Sequence, residues 1–168
     1  MSFNIYQASV PAFLQTLSAL SGILTKAAAY AETKKIDPSV LINARLAPDM
    51  FALARQIQIA TDHAKGAPGR LAGVELPSFP DTETTFAELQ ARIAKTVDFV
   101  KSLKPAQFEG ADTREITLKV GGQEMKFTGA VYLSNFAFPN FYFHATTAYN
   151  ILRHNGVDVG KRDFLGAV

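Results

Sequence analysis

Apolar residues recur at helical spacing along the first thirty positions of the chain. The stripe consists of Val10, Phe13, Leu14, Leu17, Leu20 and Leu24. Small polar residues lie between its members, so one face of an amphipathic helix is apolar and the opposite face is not. We predict a core helix from about Ser9 to Ala31, with Pro11 tolerated in its first turn.

The next segments predict a short helical turn and a second long helix. The turn begins with the capping residue Asp37 and ends near Asn43. The long helix is expected to open at Ala47-Pro48-Asp49, and its apolar register continues past Pro68 to Val74. An interior proline costs a helix about 3 kcal/mol. Because the register survives the proline, we expect one kinked helix rather than two.

A third helix carries a capping box. Thr85 is followed three residues later by Glu88, and this spacing lets each side chain cap the backbone of the other residue. The apolar seam behind the box is formed by Phe86, Leu89, Ile93, Val97, Val100 and Leu103. Pro105 marks the end of the predicted helix.

A period of two then replaces the helical period and predicts a β-hairpin. Alternating residues flank Gly121-Gly122, a dipeptide that suits a two-residue hairpin turn. The expected register pairs Lys119 with Glu124, Leu118 with Met125 and Ile116 with Phe127. An isolated hairpin is not stable in water, so its apolar face should lie on the bundle or on a partner chain.

The last predicted helix follows the hairpin and is rich in aromatic residues. A short helical piece is expected over Ala130–Phe136, a break or kink at Pro139, and a long helix to His154. Asn155-Gly156 supplies a left-handed C-terminal cap. The remaining residues, Val157–Val168, are predicted to run as extended chain over the surface.

Four amphipathic helices and a hairpin inserted before the last of them predict an all-α four-helix bundle that spans residues 1–168 as a single domain. The 17 basic and 15 acidic residues are interspersed, which gives no basic patch for nucleic acid. The chain has no cysteine, so disulfides and thiolate sites are excluded. Met1–Tyr6 lacks the features of a signal peptide, and no stretch approaches the roughly 20 apolar residues that a membrane span needs. We therefore expect a cytoplasmic protein that does not bind membranes.

Candidate chemistry is concentrated on two helices. Asn140 and His144 share one face of the last helix because they are four residues apart, and Gln56 and His63 share one face of the second helix because they are seven apart. Each position also has a structural explanation: a hydrogen-bonded core histidine at 144, a solvent-facing histidine at 63, and a helix cap at 140. No HxxxH, HExxH or GxSxG motif is present.

Five segments resemble a bacterial family classed as a domain of unknown function within the DinB-like, or YfiT-like, superfamily of metalloenzymes. They are Leu53–Lys65, Arg70–Gly73, Pro139–His144, Ile151–Val157 and Gly160–Gly166. The resemblance extends over nearly the whole chain. It implies a four-helix bundle, often a homodimer, that holds a divalent metal such as nickel or zinc.

The superfamily's metal ligands are one histidine from the second helix and an HxxxH pair from the fourth. On this chain the second histidine of the pair falls on His144 and the first on Asn140. The ligand from the second helix falls near Gln56, with His63 two turns further along. Amides bind zinc or nickel less well than imidazole does, so the resemblance implies a weakened or absent metal site.

Two hypotheses about function follow from the resemblance and the polar helix faces. The first is a metal-dependent or degenerate enzyme with His144 and Tyr142 as catalytic residues. Its cavity would be lined by Gln56, His63 and Asn140, and any metal would be bound by His144 and His63. The second is a dimeric, non-catalytic protein that binds a small molecule in the same cavity.

Overall fold

The computed structural model describes residues 4–166. The α-helices are α1 (Ile5–Lys34), α2 (Pro38–Ile42), α3 (Leu53–Ala72), α4 (Phe86–Ser102), α5 (Gly129–Val131), α6 (Phe138–His154) and α7 (Lys161–Leu165). A 3₁₀ turn covers Pro105–Phe108, and a π-helical segment covers Tyr132–Ala137. The strands are β1 (Glu115–Val120) and β2 (Gln123–Thr128).

Helices α1, α3, α4 and α6 form the predicted four-helix bundle. Helix α3 packs against both α4 and α6, and α1 contacts all three of these helices. Inaccessible apolar side chains from each helix meet in the core, among them Phe13, Leu17, Ile57, Leu71, Leu89, Val100, Phe141 and Ile151. The all-α fold with one small hairpin is therefore confirmed.

Capping residues make α1 longer than its apolar stripe. The Asn4 side chain accepts a hydrogen bond from the Gln7 backbone N–H at 2.9 Å, so the helix starts one turn before the predicted Ser9. It ends where Lys35 adopts a left-handed conformation with φ of 55°. The capping box of α4 is confirmed, since Glu88 N–H donates to Thr85 Oγ1 at 3.2 Å.

The predicted start of the second long helix was wrong. Helix α3 begins at Leu53, and the segment with Ala47-Pro48-Asp49 is a loop. The Leu53 N–H donates a hydrogen bond to the Ala44 carbonyl at 2.9 Å and closes this loop. The Phe51 carbonyl accepts a hydrogen bond from the Gln56 side chain. This side-chain contact gives the backbone an alternative to an earlier helical turn.

Helix α3 continues through its interior proline, as predicted. Pro68 lies within one helix that ends at Ala72, and Gly73 supplies a left-handed cap with φ of 69°. The predicted end near Val74 is therefore two residues too late. Because α3 is continuous, Gln56, His63 and Arg70 all lie on the same helix.

The hairpin has the predicted register. Lys119 lies opposite Glu124, Leu118 opposite Met125 and Ile116 opposite Phe127. Ile116 is buried, and Leu118 and Phe127 are half-buried against the core of the same chain. The hairpin therefore packs on its own bundle.

Two predictions concern the last part of the chain: a break or kink at Pro139, and an extended tail. Pro139 does not break the helix, because the π-helical segment widens the backbone just before it and the missing proline N–H falls at the junction with α6. The tail is not extended throughout, since α7 forms over Lys161–Leu165. An Asp163 oxygen accepts from the Gly160 amide at 2.8 Å, and Lys26 of α1 pairs with Asp163 at 2.7 Å. Residues 167–168 lie outside the described part of the chain.

Helix α1 is long and apolar enough to cross a membrane by length and composition alone, which the sequence analysis did not predict. An 18-residue window of this helix reaches a mean hydropathy of 1.3. Half of the window is buried within the bundle, as expected of a core helix. The apolar stripe of α1 is therefore used in packing against the other long helices.

Gly129 provides a test of the junction between the hairpin and the last helix. A Cβ at position 129 would lie 1.8 Å from the Ala111 carbonyl oxygen, which belongs to the backbone and cannot rotate away. We expect Gly129→Ala to lower the free energy of unfolding by about 3 kcal/mol, because the clash forces the backbone to shift. Chemical denaturation monitored by circular dichroism measures this loss.

The matched control is Gly22→Ala. Gly22 lies in the exposed middle of α1, and a Cβ there meets nothing within 4 Å. Alanine should stabilise the protein by about 0.5–1 kcal/mol at this position. Equal effects of the two substitutions would contradict the close approach at Gly129.

Candidate functional site

A cleft of about 490 Å³ opens between α3, the hairpin turn, the π-helical segment and α6. Its polar lining consists of Asp62, His63, Arg70, Lys119, Tyr132, Asn140 and His144. A larger groove of about 750 Å³ runs between α1 and α4, but no histidine lines it. The cleft at α3 and α6 therefore holds the residues that can carry acid–base or ligand chemistry.

His144 is held by a hydrogen-bond chain that crosses from α6 to α3. Its Nδ1 lies 2.7 Å from Gln56 Oε1, and Gln56 Nε2 donates to the Phe51 carbonyl at 3.0 Å. A carbonyl can only accept, so it fixes the Gln56 amide with the oxygen towards His144. That oxygen also only accepts, so His144 Nδ1 must carry the proton. Nε2 of a neutral His144 is then left with the lone pair.

His144 is neutral at physiological pH. Burial lowers the pKa of this imidazole, and the positive charge of Arg55 lowers the pKa further. Every buried side-chain nitrogen or oxygen in residues 4–166 has a hydrogen-bond partner. His144 Nε2 has no such partner in these residues, so this atom is not buried. Nε2 therefore reaches the open space of the cleft, where it can accept a proton or a hydrogen bond.

His63 stacks on His144. The two ring centroids are 6.1 Å apart and the ring planes differ by 14°. Burial lowers the pKa of His63 to about 4, and the nearby His144 and Arg70 lower it as well, against the opposite effect of Asp62. Both imidazoles are thus neutral at pH 7 and form one side of the cleft.

Arg70 contributes a cation to the same cleft. Its Nη1 donates to the Tyr132 hydroxyl at 3.2 Å. A Cβ on Gly66 would lie 2.5 Å from that Nη1, so the guanidinium folds back over Gly66 on its own helix. Tyr132 is buried, which raises the pKa of its phenol and keeps it a neutral partner. The absence of a side chain at Gly66 thus allows Arg70 to reach Tyr132.

Asp62 is already engaged by two cations behind the cleft. Its Oδ1 lies 2.7 Å from Lys65 Nζ and 2.9 Å from Arg92 Nη2. Arg92 is 2 % exposed and also binds Glu83 at 3.1 Å and Thr61 Oγ1 at 2.7 Å. Buried charges need such partners, since an unpaired one would be costly. The network fixes Asp62, and with it the neighbouring His63.

The residues of the cleft do not fit the metal site of the wider superfamily. Within residues 4–166, no group of three His, Cys, Asp or Glu side chains comes close enough to hold a metal ion. The Gln56 oxygen is occupied by His144, and Asn140 Nδ2 donates to the Phe136 carbonyl at 2.7 Å. A structural or catalytic zinc site needs three or four strong ligands. His63 and His144 supply two.

The structure brings together four of the five residues that the sequence singled out. His63, Asn140 and His144 line the cleft, and Gln56 lies buried behind His144. Asn140 is internal to the helix, so it is not the cap that the sequence allowed. Tyr142 does not line the cleft: it is 37 % exposed and stacks on Phe138 at 5.6 Å. Residues two apart project from different sides of a helix, which explains its position.

Three polar residues of the cleft, Arg70, Lys119 and Tyr132, were not predicted from the sequence. Arg70 follows His63 by seven residues, the same spacing that joins Gln56 to His63, so an extension of that face would have found it. Lys119 and Tyr132 come from the hairpin and the π-helical segment. No periodicity along the chain relates them to α3, so only the packing of these elements could have revealed them.

Comparison with known proteins supports the assignment of the family. The profile of DUF1993, a domain of unknown function, matches residues 5–165. The chain belongs to this family. It is also similar to a protein of known crystal structure, a DinB family member from Shewanella denitrificans. The two share 46% identity, with 98% of this chain and 93% of that chain covered, and a TM-score of 0.91. A search of curated proteins gave no match.

The stacked histidines predict a loss of stability in mild acid. His63 has a pKa of about 4 in the folded protein against a reference value of 6.5. Between these values the unfolded chain binds a proton that the folded chain excludes, so stability falls as pH falls. Between pH 7 and pH 5, the titration of His63 alone should lower the free energy of unfolding by about 2 kcal/mol. We expect His63→Gln to remove that part of the pH dependence.

Denaturation at the two pH values, followed by circular dichroism, measures the difference between wild type and variant. The control is His154→Gln, which removes an exposed imidazole at the end of α6. It should leave the pH dependence of wild type in place. An identical slope for His63→Gln and wild type would contradict the burial of His63 as a neutral ring.

Proposed function

We propose that this DUF1993 protein binds a small molecule in the cleft and uses neutral His144 as the proton acceptor. The observation that carries the proposal is the chain from the Phe51 carbonyl through Gln56 to His144 Nδ1. It sets the imidazole in one tautomer and aims Nε2 away from Gln56. A general base needs such a fixed lone pair and must be unprotonated at the working pH.

The cleft provides further features that suit acid–base chemistry. His63 lies nearly parallel to His144 and is itself neutral, so it places no fixed charge beside the proposed base. Asp62 and Arg92 hold this wall in place from behind. Because no metal step is needed for a neutral imidazole to accept a proton, the proposal rests on side chains of the chain itself.

A second candidate is a non-catalytic binding protein with the same cleft. This candidate is favoured by the apolar side chains that line the cleft. The ring centroid of Phe136 lies 6.2 Å from that of His63, and Leu118 comes from the hairpin. Such a wall is typical of small-molecule pockets, which need only a few polar groups for orientation. The predicted homodimer and cytoplasmic location stay predictions.

The hydrogen-bond chain predicts the tautomer of His144. Nitrogen-15 spectra of the imidazole rings at neutral pH should show His144 protonated on Nδ1 and unprotonated on Nε2. Gln56→Leu removes the acceptor of the Nδ1 proton, so the spectrum of His144 should shift towards the tautomer with the proton on Nε2. The signals of His154, which is exposed at the end of α6, serve as an internal control. Wild-type His144 with its proton on Nε2 would contradict the proposed role of Gln56.

The function itself is tested with a collection of small metabolites. Compounds that raise the melting temperature of wild type bind the native state, because binding to the folded form shifts unfolding by mass action. Each such compound is then incubated with protein and analysed for a product by mass spectrometry. We expect His144→Gln to retain the fold and to lose product formation by a factor of about 10² or more.

The outcomes separate the two candidates. Product from wild type and none from His144→Gln supports the enzyme. Binding without product in either protein supports the non-catalytic candidate and removes the base. Equal product from both proteins would place the function elsewhere.

A further inference from the structure

We infer that Arg70 and Lys119 form an anion subsite in the cleft, which holds a carboxylate or phosphate group of the bound molecule beside the two histidines. The inference rests on the proposed function for the identity of the site and adds the chemical class of its ligand. Arg70 comes from α3 and Lys119 from β1 of the hairpin, and both line the cleft.

Arg70 differs from the other arginines near the cleft in having no carboxylate partner. Arg55 pairs with Asp81, and Arg92 pairs with Asp62, Asp81 and Glu83. No acidic side chain in the described part of the chain lies within ion-pair distance of Arg70. Its one side-chain contact there is the neutral hydroxyl of Tyr132, which leaves most of its five N–H donors available.

Asp62 does not neutralise Arg70, although it lines the same cleft. Its charge is shared by Lys65 and Arg92, both of which are buried and within 3 Å of the same oxygen, at 2.7 and 2.9 Å. Lys119 adds a second positive charge to the lining of the cleft. The cleft therefore holds two cationic side chains, Arg70 and Lys119, that no carboxylate in residues 4–166 pairs with at ion-pair distance.

The reach of Arg70 brings the subsite close to the histidines. Its guanidinium lies over Gly66, which is three residues beyond His63 and thus about 4.5 Å further along the helix axis. A small molecule with an anionic group on Arg70 can therefore place its next few atoms beside the imidazoles. The planar fork of arginine suits the two oxygens of a carboxylate or phosphate, whereas Lys119 acts as a point charge.

The experiment measures binding of two simple anions, acetate and inorganic phosphate, by amide chemical-shift changes at constant ionic strength. Saturable shifts at residues around His63 and Arg70 are expected for wild type with at least one of them. The two titrations distinguish a carboxylate site from a phosphate site. Arg70→Gln should weaken binding about tenfold or more, since hydrogen bonds to charged groups contribute that much.

Three further variants complete the test. Lys119→Gln should weaken binding, while Lys126→Gln, an exposed lysine on the other strand of the same hairpin, should change it less than about twofold. Gly66→Ala keeps the charge of Arg70 but displaces its guanidinium, so it should also weaken binding. It covers the case in which Arg70→Gln is too unstable to titrate.

Two results would overturn the inference: no saturable binding of either anion to wild type, or binding to Arg70→Gln and Gly66→Ala that equals wild type. His144→Gln separates this inference from the proposed function. If His144→Gln loses product formation but still binds the anion, both stand. If Arg70→Gln binds anions as wild type does while His144→Gln is inactive, the subsite alone is rejected.

Discussion

Helix α3 packs along α6, and both helices bury small side chains. Ala60 and Ala64 of α3 and Ala145 and Ala148 of α6 are inaccessible to solvent. The separation of packed helices depends on the side chains at their contact, so small residues permit a close approach. This packing brings Gln56 within 2.7 Å of His144, although the two residues are 88 positions apart in the chain. Without it, His144 would have neither its tautomer nor its neighbour His63.

The polar contacts around the cleft are of two kinds: ion pairs behind it and hydrogen bonds to neutral groups within it. Behind it, the charged network of Arg92 ties the loop before α4 to α3 and saturates the charge of Asp62. At the cleft itself, the contacts of His144 and Arg70 are with neutral groups, an amide and a phenol. Asp62 and Glu83 thus form ion pairs within the protein, whereas the two histidines and Arg70 have no carboxylate partner and can contact a ligand. This division leaves two neutral imidazoles and a cation without a carboxylate partner in the same cleft.

The family resemblance and the structure agree on the bundle and differ on the metal. The resemblance implies that two of the superfamily's three histidine positions fall at Asn140 and near Gln56, and both of these amides make hydrogen bonds within the protein. Gln56 in particular is a hydrogen-bond partner of His144. The bundle can therefore be retained while the chemistry of its cleft changes, because packing depends on the apolar faces and the site depends on a few polar positions.

The sequence alone determined the elements whose signals are local. The apolar period of α1 and α4, the Thr85–Glu88 capping box and the register about Gly121-Gly122 all depend on residues close together in the chain. Helical spacing also placed Gln56 with His63 and Asn140 with His144. Tertiary structure decided where α3 begins, how the chain passes Pro139, that Tyr142 lies outside the cleft, and that Arg70, Lys119 and Tyr132 lie within it. These features arise from contacts between distant segments, and a periodic pattern carries no information about which face of one element meets which face of another.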